Sequence, residues 1–199
     1  MTARRTATLH RETRETRIVL TLDLDGAGRY EVKTPIHFLG HMVESLARFG
    51  SFDLKLDAAG DNEHHVIEDV AITLGRAFRE AVNAGGGPAN RRIGNAVVPM
   101  DDALVGVYVD LVERPYCEVA LPDGMYQHFL RSFAMEARIN VHNQVIRGAD
   151  PHHIVEACFK ALGLALHDAL EPSARVHAST KGRPSWSGKP AAKRGKKKT

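Results

Sequence analysis

Two stretches of the chain repeat one another. "HHVIEDVAITLGRAF" at residues 64–78 and "HHIVEACFKALGLAL" at 152–166 agree without gaps at six of fifteen positions, and a glycine stands four residues ahead of each doublet, Gly60 and Gly148. The segments upstream repeat as well. "RIVLTLDLD" (17–25) places Ile18, Leu20, Leu22 and Leu24 on one face, the period of a half-buried strand, and "GAGRYEVK" supplies a glycine turn into a second strand, so a hairpin is expected. "PIHFLGHMVESLARFG" follows with helical spacing (Phe38, Met42, Leu46, Phe49) and a terminal Gly50; "FDLKLDAAG" alternates as a strand, and the first His-His helix runs to about Ala84. After the glycine-rich "NAGGGPANRRIGN" the order returns: "ALVGVYVDLV" and "PYCEVAL" as paired strands, "MYQHFLRSFAMEA" as a helix, "RINVHNQVI" as a strand and 151–170 as a helix. A period of this length marks an internal duplication. The expectation is an α+β sandwich of two ββαβα halves, residues 1–84 and 85–182 with the connecting linker, each a four-stranded-type sheet layer with its helices on one face.

Charge separates a third region. The chain carries a formal +3, but seven of its 27 lysines and arginines lie after Gly182 and none of its 24 acids does, so residues 1–182 carry a net −4. "PSWSGKPAAKRGKKKT" holds too little apolar surface to order itself, so residues 183–199 are expected to be a disordered basic tail. A solubilising tail accounts for it, and no specific nucleic-acid partner is expected. No segment approaches the roughly 18 consecutive apolar residues of a membrane span, and "MTARRTATLHRETRET" lacks the apolar stretch of a secretory signal, so a cytoplasmic protein without membrane partners is expected. Cys117 and Cys158, far apart and outside any C-x-x-C spacing, suit buried hydrophobes better than a disulfide or a thiolate zinc site.

The doublets carry the chemistry. A helix turns about 100° per residue, so His64 and Glu68 lie about 40° apart while His65 points about 100° away from His64. One imidazole can chelate with the glutamate while its neighbour is aimed elsewhere, which suits two metal centres. His152, His153 and Glu156 repeat the set. Asp150 suits the N-cap and Pro151 the first helical position, putting both histidines in the first turn, where the positive end of the helix dipole favours neutral imidazole, the ligand form. His41 in "FLGHM" and His142 in "INVHN" are further candidates. Imidazole and carboxylate without thiolate is compatible with Mn, Fe, Ni or Zn, with a tilt toward harder ions. The spacing is not the H-E-x-x-H of zinc peptidases.

With these motifs in order ("RETRETRI", "FLGHMVESLARFG", "HHVIEDVAITLG", "RRIGNAVVPMDDALVGVYVDL", "ERPY", "HFLRSFAMEARINVH", "HHIVEACFKALGLAL" and "STKG"), the chain over 4–183 resembles the imidazoleglycerol-phosphate dehydratase family. The resemblance implies a hydro-lyase of histidine biosynthesis that converts imidazole glycerol phosphate to imidazole acetol phosphate through a dimanganese-bound imidazolate, on a fold like the second domain of ribosomal protein S5. It implies two Mn2+ ions per active site held by His41, His64, His65, Glu68, His142, His152, His153 and Glu156, with sites formed between subunits of a homo-oligomer of twenty-four. It also implies that Glu15 binds substrate and moves its proton, and that Arg92, Arg114, Lys160, Ser179 and Lys181 engage the substrate, mostly at phosphate.

The chain departs from the family's pattern at Gly40, where an Asp is usual, at Ser45 (Gln), at Pro151 (Asp) and at Val112-Glu113 (a small residue followed by Gly). A missing carboxylate beside a ligand histidine loosens its orientation. All proposed ligands and Glu15 are present, so these changes are expected to alter rate or affinity, not reaction class. Two other readings share the residues: a metal-dependent hydrolase using the same His/Glu cage, and an RNA-associated module relying on the tail.

Overall fold

A computed structural model of the chain describes residues 4–84 and 90–173. The basic tail, Ser179, Lys181 and residues 85–89 of the linker lie outside the described residues. The first half runs β1 (Thr6–Glu12), β2 (Thr16–Asp23), β3 (Tyr30–Lys33), α1 (His37–Gly50), β4 (Asp53–Gly60) and α2 (Glu63–Ala84). The second repeats it with β5 (Ile93–Met100), β6 (Ala103–Asp110), β7 (Tyr116–Glu118), α3 (Gly124–Ala137), β8 (Asn140–Arg147) and α4 (Pro151–Leu170). The two sheets have equivalent strand orders, β1-β2-β4-β3 and β5-β6-β8-β7. The fold is therefore the expected α+β pair of ββαβα units, each with one further strand in front.

That extra strand changes the pairing. The strand at 17–25 is not hairpinned to 30–33: β2 pairs antiparallel with β1 and β4, and β3 joins β4 in parallel. Likewise β6 pairs with β5 and β8, and β7 lies parallel to β8. The cause is compositional. β1 turns only Ala7, Leu9 and Arg11 inward, all partly exposed, so this edge strand carries a thin apolar signal, whereas β2 buries Ile18, Leu20 and Leu22 completely or nearly so.

Each sheet is covered on one face by its own helices, α1 and α2 on the first sheet, α3 and α4 on the second. The two helical layers then pack on one another, α1 against α4 and α2 against α3. The core lies in this four-layer stack, with Phe52, Phe78, Phe129, Phe133 and Phe159 among its largest buried side chains. Phe78 of α2 meets Phe133 of α3 edge-on, ring centroids 6.0 Å apart. Gly50 closes α1, but the left-handed residue that caps it is Ser51 (φ 56°), matched at the end of α3 by Arg138 (φ 56°); each donates its backbone N–H to the last turn.

Close approach of the helical layers depends on a glycine pair that the duplication also repeats. A Cβ on Gly75 of α2 would stand 2.5 Å from the Phe133 carbonyl oxygen of α3; one on Gly163 of α4 would stand 2.7 Å from that of Leu46 in α1. Both obstacles are backbone, so neither side can yield without moving a helix. Alanine would gain up to about 1 kcal/mol of helix propensity but overpack the crossing at a cost of about 1–3 kcal/mol. Gly163→Ala is therefore expected to lower the thermal unfolding midpoint of the metal-free chain by about 2–8 °C; an unchanged or raised midpoint in calorimetry would show that the helices have room to part.

Candidate metal centre

The crossings bring histidines of different halves together. Where α1 meets α4, His41, His152 and Glu156 offer donor atoms within 4.8 Å of one another; where α2 meets α3, His64, Glu68 and His128 do the same. In the first cluster His41 Nε2 and His152 Nε2 each lie 3.2 Å from Glu156 Oε2. In the second, His64 Nε2 is 3.6 Å from Glu68 Oε2 and His128 Nε2 is 3.3 Å from Glu68 Oε1. The rings correspond too: His41 and His152 are tilted by 34°, His64 and His128 by 36°.

His128 is the residue that sequence reasoning missed. It is the fifth residue of α3, as His41 is of α1, so the duplication that relates the doublets also relates these two. Extending the repeat upstream of the doublets finds it. His142, expected as a ligand, is not brought to either cluster. It lies on β8 next to Val141, whose side chain is buried on the helix-covered face, so the exposed His142 points to the opposite face, its ring 5.4 Å from that of Tyr116.

The second histidine of each doublet diverges, as helical geometry requires: His65 and His153 stay out of the clusters that hold His64 and His152, and the ring planes within each doublet stand at 84° and 87°. Each is held by a carboxylate. His65 Nδ1 is 2.7 Å from Asp61 Oδ1, and His153 Nδ1 is 2.7 Å from Asp102 Oδ1. Those carboxylates raise the pKa of both imidazoles against the opposing effect of burial; toward a cation, the same partners strengthen the donor and fix the ring. The helix starts are capped. Asp150 accepts from the His152 amide, with Pro151 following, and Asn62 accepts from that of His65.

Glu156 is the floor of the first cluster, 5% exposed beneath two solvent-facing histidines. Burial pushes its carboxyl up, but hydrogen bonds from Lys160 and His41 outweigh that and hold it below the ordinary glutamate value. Lys160 reaches Glu156 Oε1 at 2.8 Å, with its ammonium also 3.2 Å from Met100 Sδ. Arg92 makes a paired contact with Asp110 from a left-handed backbone position (φ 68°), and Arg114 is exposed before β7. Arg92 precedes β5, whereas Asp102 and His153 meet beyond that strand's other end, about 25 Å away along eight residues. Within one chain, Arg92 therefore does not meet the α1–α4 cluster. Glu15 occupies the β1–β2 turn, its carboxylate 3.8 Å from His65 Nδ1.

The donor set fits a hard divalent cation. Both clusters are imidazole and carboxylate, the separations suit ligands converging on one ion at about 2 Å, and His128 Nε2 is buried 3.3 Å from Glu68 Oε1 without forming a hydrogen bond of good geometry. His128→Ala is expected to weaken divalent-cation binding at its cluster by tenfold or more, about the effect of losing even a supporting partner of a ligand, and to halve the metal content after gel filtration. His142→Ala should retain the full complement; equal losses from both variants would remove the assignment of His128.

Comparison with known proteins identifies the family. The model of the family described as imidazoleglycerol-phosphate dehydratase matches residues 34–166. The imidazoleglycerol-phosphate dehydratase of Kineococcus radiotolerans is 44% identical over 197 residues, covering 89% of this chain and 98% of its own length; that of Methanothermobacter thermautotrophicus is 45% identical over 186 residues, covering 87% and 94%. Among solved structures, the Pyrococcus furiosus enzyme, crystallised in complex with (S)-C348, superposes with a TM-score of 0.74 at 38% identity, over 87% of this chain and 99% of that one. The Staphylococcus aureus enzyme gives 0.75 at 28% identity, over 84% and 99%. The family model and the relatives span most of the chain, the duplicated fold is shared with the solved structures, and the chain belongs to the imidazoleglycerol-phosphate dehydratase family.

Proposed function

We propose that the protein removes water from imidazole glycerol phosphate to give imidazole acetol phosphate, a step of histidine biosynthesis, using two Mn2+ ions per site. The observation that carries this reading is the repetition of one three-ligand cluster at both helix crossings, each with a carboxylate-held histidine turned away from it. His41, His152 and Glu156 hold one ion; His64, Glu68 and His128 hold the other. His65 and His153, aimed away from their own clusters, complete those of neighbouring copies, so the full site forms between subunits.

Two features support an assembly. The outer face of the second sheet exposes Ile93, Val97, Tyr108 and Tyr116, an apolar set suited to burial against another copy. Arg92 lies beside Ala169 at the far end of α4 from the His41 cluster, a position from which it would reach a site on a neighbouring copy. A closed shell of twenty-four is the reading taken from the family. Among the described residues no helix is long and apolar enough to cross a membrane.

The substrate has no carbonyl to acidify the C–H that must break, so electrons have to pass through its azole ring. Divalent ions held by His41, His152 and Glu156 and by His64, Glu68 and His128 would supply the positive charge such a ring needs. Glu15 takes or returns the proton of the glycerol chain, its carboxylate being the acid–base group beside the doublet. Arg92 and Arg114 offer paired donors to the phosphate, and Lys160 and Lys181 offer point charges. Lys160 comes to that task from its contact with Glu156, so it also steadies the buried ligand carboxylate.

The test is to strip the protein with a chelator, restore Mn, Zn or Mg separately, and follow imidazole acetol phosphate together with particle size. Activity should return with Mn and particle size should rise with it. Stripped protein as active as the Mn form would end the reading, and turnover of metal-dependent hydrolysis substrates lacking the azole would favour a hydrolase. Glu15→Gln should assemble, bind metal and lose about 10²- to 10⁴-fold in kcat.

A further inference from the structure

The duplication gives the Glu15 turn an internal control. β1 pairs with β2 and β5 with β6 in the same register, each closing on a two-residue loop, Arg14-Glu15 in one and Asp101-Asp102 in the other. Glu15 and Asp102 are therefore equivalent positions, and they are fixed in different ways. The Asp102 carboxylate is fully engaged, accepting the amides of Ala149 and Asp150 and facing His153 Nδ1. Glu15 gives the equivalent helix-entry loop its backbone instead: its carbonyl accepts the Asp61 amide at 3.1 Å. Its carboxylate is left with His65 Nδ1 at 3.8 Å.

The turn is held by hydroxyls. Thr13 Oγ1 accepts the amides of Glu15 (3.1 Å) and Thr16 (3.0 Å) and lies 3.3 Å from Thr16 Oγ1. Thr16 spends its only hydroxyl proton on Asp69 Oδ2. In the Thr13–Thr16 contact Thr13 must therefore donate, which leaves its two lone pairs to the two amides; the Thr13 hydroxyl is fully used, and the direction of every bond in the chain is set. Asp69, 7% exposed, follows Glu68 on α2 and is anchored on its other oxygen by Arg11 at 2.7 Å. In the second half the equivalent positions are Val98 for Arg11, Met100 for Thr13, Ala103 for Thr16 and Ala157 for Asp69. None of the four can make these bonds. The network accompanies the turn with the free carboxylate and is absent from the turn whose carboxylate is tied.

We propose that Thr13, Thr16 and Asp69, braced by Arg11, are positioning residues for proton transfer: they fix the backbone at Glu15 from the same helix that carries His64, His65 and Glu68, so its carboxylate stays free of structural bonds yet registered to that ligand face. This rests on Glu15 being the proton-transfer group. A displacement of about 1 Å at such a group costs up to about 100-fold in rate.

Thr13 is the residue to change, because Asp69 adjoins a ligand. Thr13→Val is expected to lower kcat by about 10- to 100-fold with unchanged metal content, particle size and KM, Thr13→Ser to restore most of it, and Thr13→Val to cost nothing further in a Glu15→Gln background. Thr13→Ala serves the same comparison should the valine variant not assemble. A Thr13 variant with the parental kcat, or one that slows Glu15→Gln by the same factor as the parent, would overturn the proposal. Full activity of Glu15→Gln alone would instead remove the proton-transfer reading beneath it.

Discussion

The structure depends on the packing of two helical layers at backbone distance. Among the described residues, neither half holds a candidate metal cluster of its own. His41 comes from the first half and its partners His152 and Glu156 from the second; His64 and Glu68 come from the first and His128 from the second. Gly75 and Gly163 let the backbones approach, the buried phenylalanines fill the space around them, and the imidazoles meet at the rim because the helix starts are aligned there. Duplication alone would give two copies of half a site. Docking the copies face to face converts this into two clusters of matched geometry.

Much of this was legible in the residues. The doublet fixes two directions because adjacent helical residues diverge, and the rings do stand nearly perpendicular. Strong periodicity gave the buried elements, β2 and the four helices, while β1 was hidden because an edge strand that buries Ala7, Leu9 and the stem of Arg11 looks like a charged leader. The parallel pairing of β3 with β4 is a tertiary choice that local turn chemistry does not encode. Gly26 and Gly28 suggested a hairpin, yet the loop carries the chain over to α1's side of the sheet. His142 attracted attention as a histidine in a strand beside a recognisable motif; His128 was passed over inside an amphipathic helix, although its equivalence to His41 was available from helix position alone.

The two halves have also diverged in surface and in polar detail. The outer face of the first sheet carries Arg17, Thr21, Lys55 and Asp57, that of the second Ile93, Val97, Tyr108 and Tyr116. One turn carboxylate clamps a helix entrance while its counterpart is released from that duty, with backbone and hydroxyl groups substituting. The shared topology supplies matched clusters, and the departures from symmetry give each half different work.

Because each cluster draws on both halves, cation capture cannot accompany synthesis of the chain. When the first half leaves the ribosome, His64 and Glu68 have no His128 beside them, and His41 waits for a helix more than a hundred residues downstream. Loading of these clusters would thus come after the second half has folded onto the first, which would make acquisition of an ion a checkpoint on the finished protomer: a nascent polypeptide ending before α3 would present neither complete ligand set.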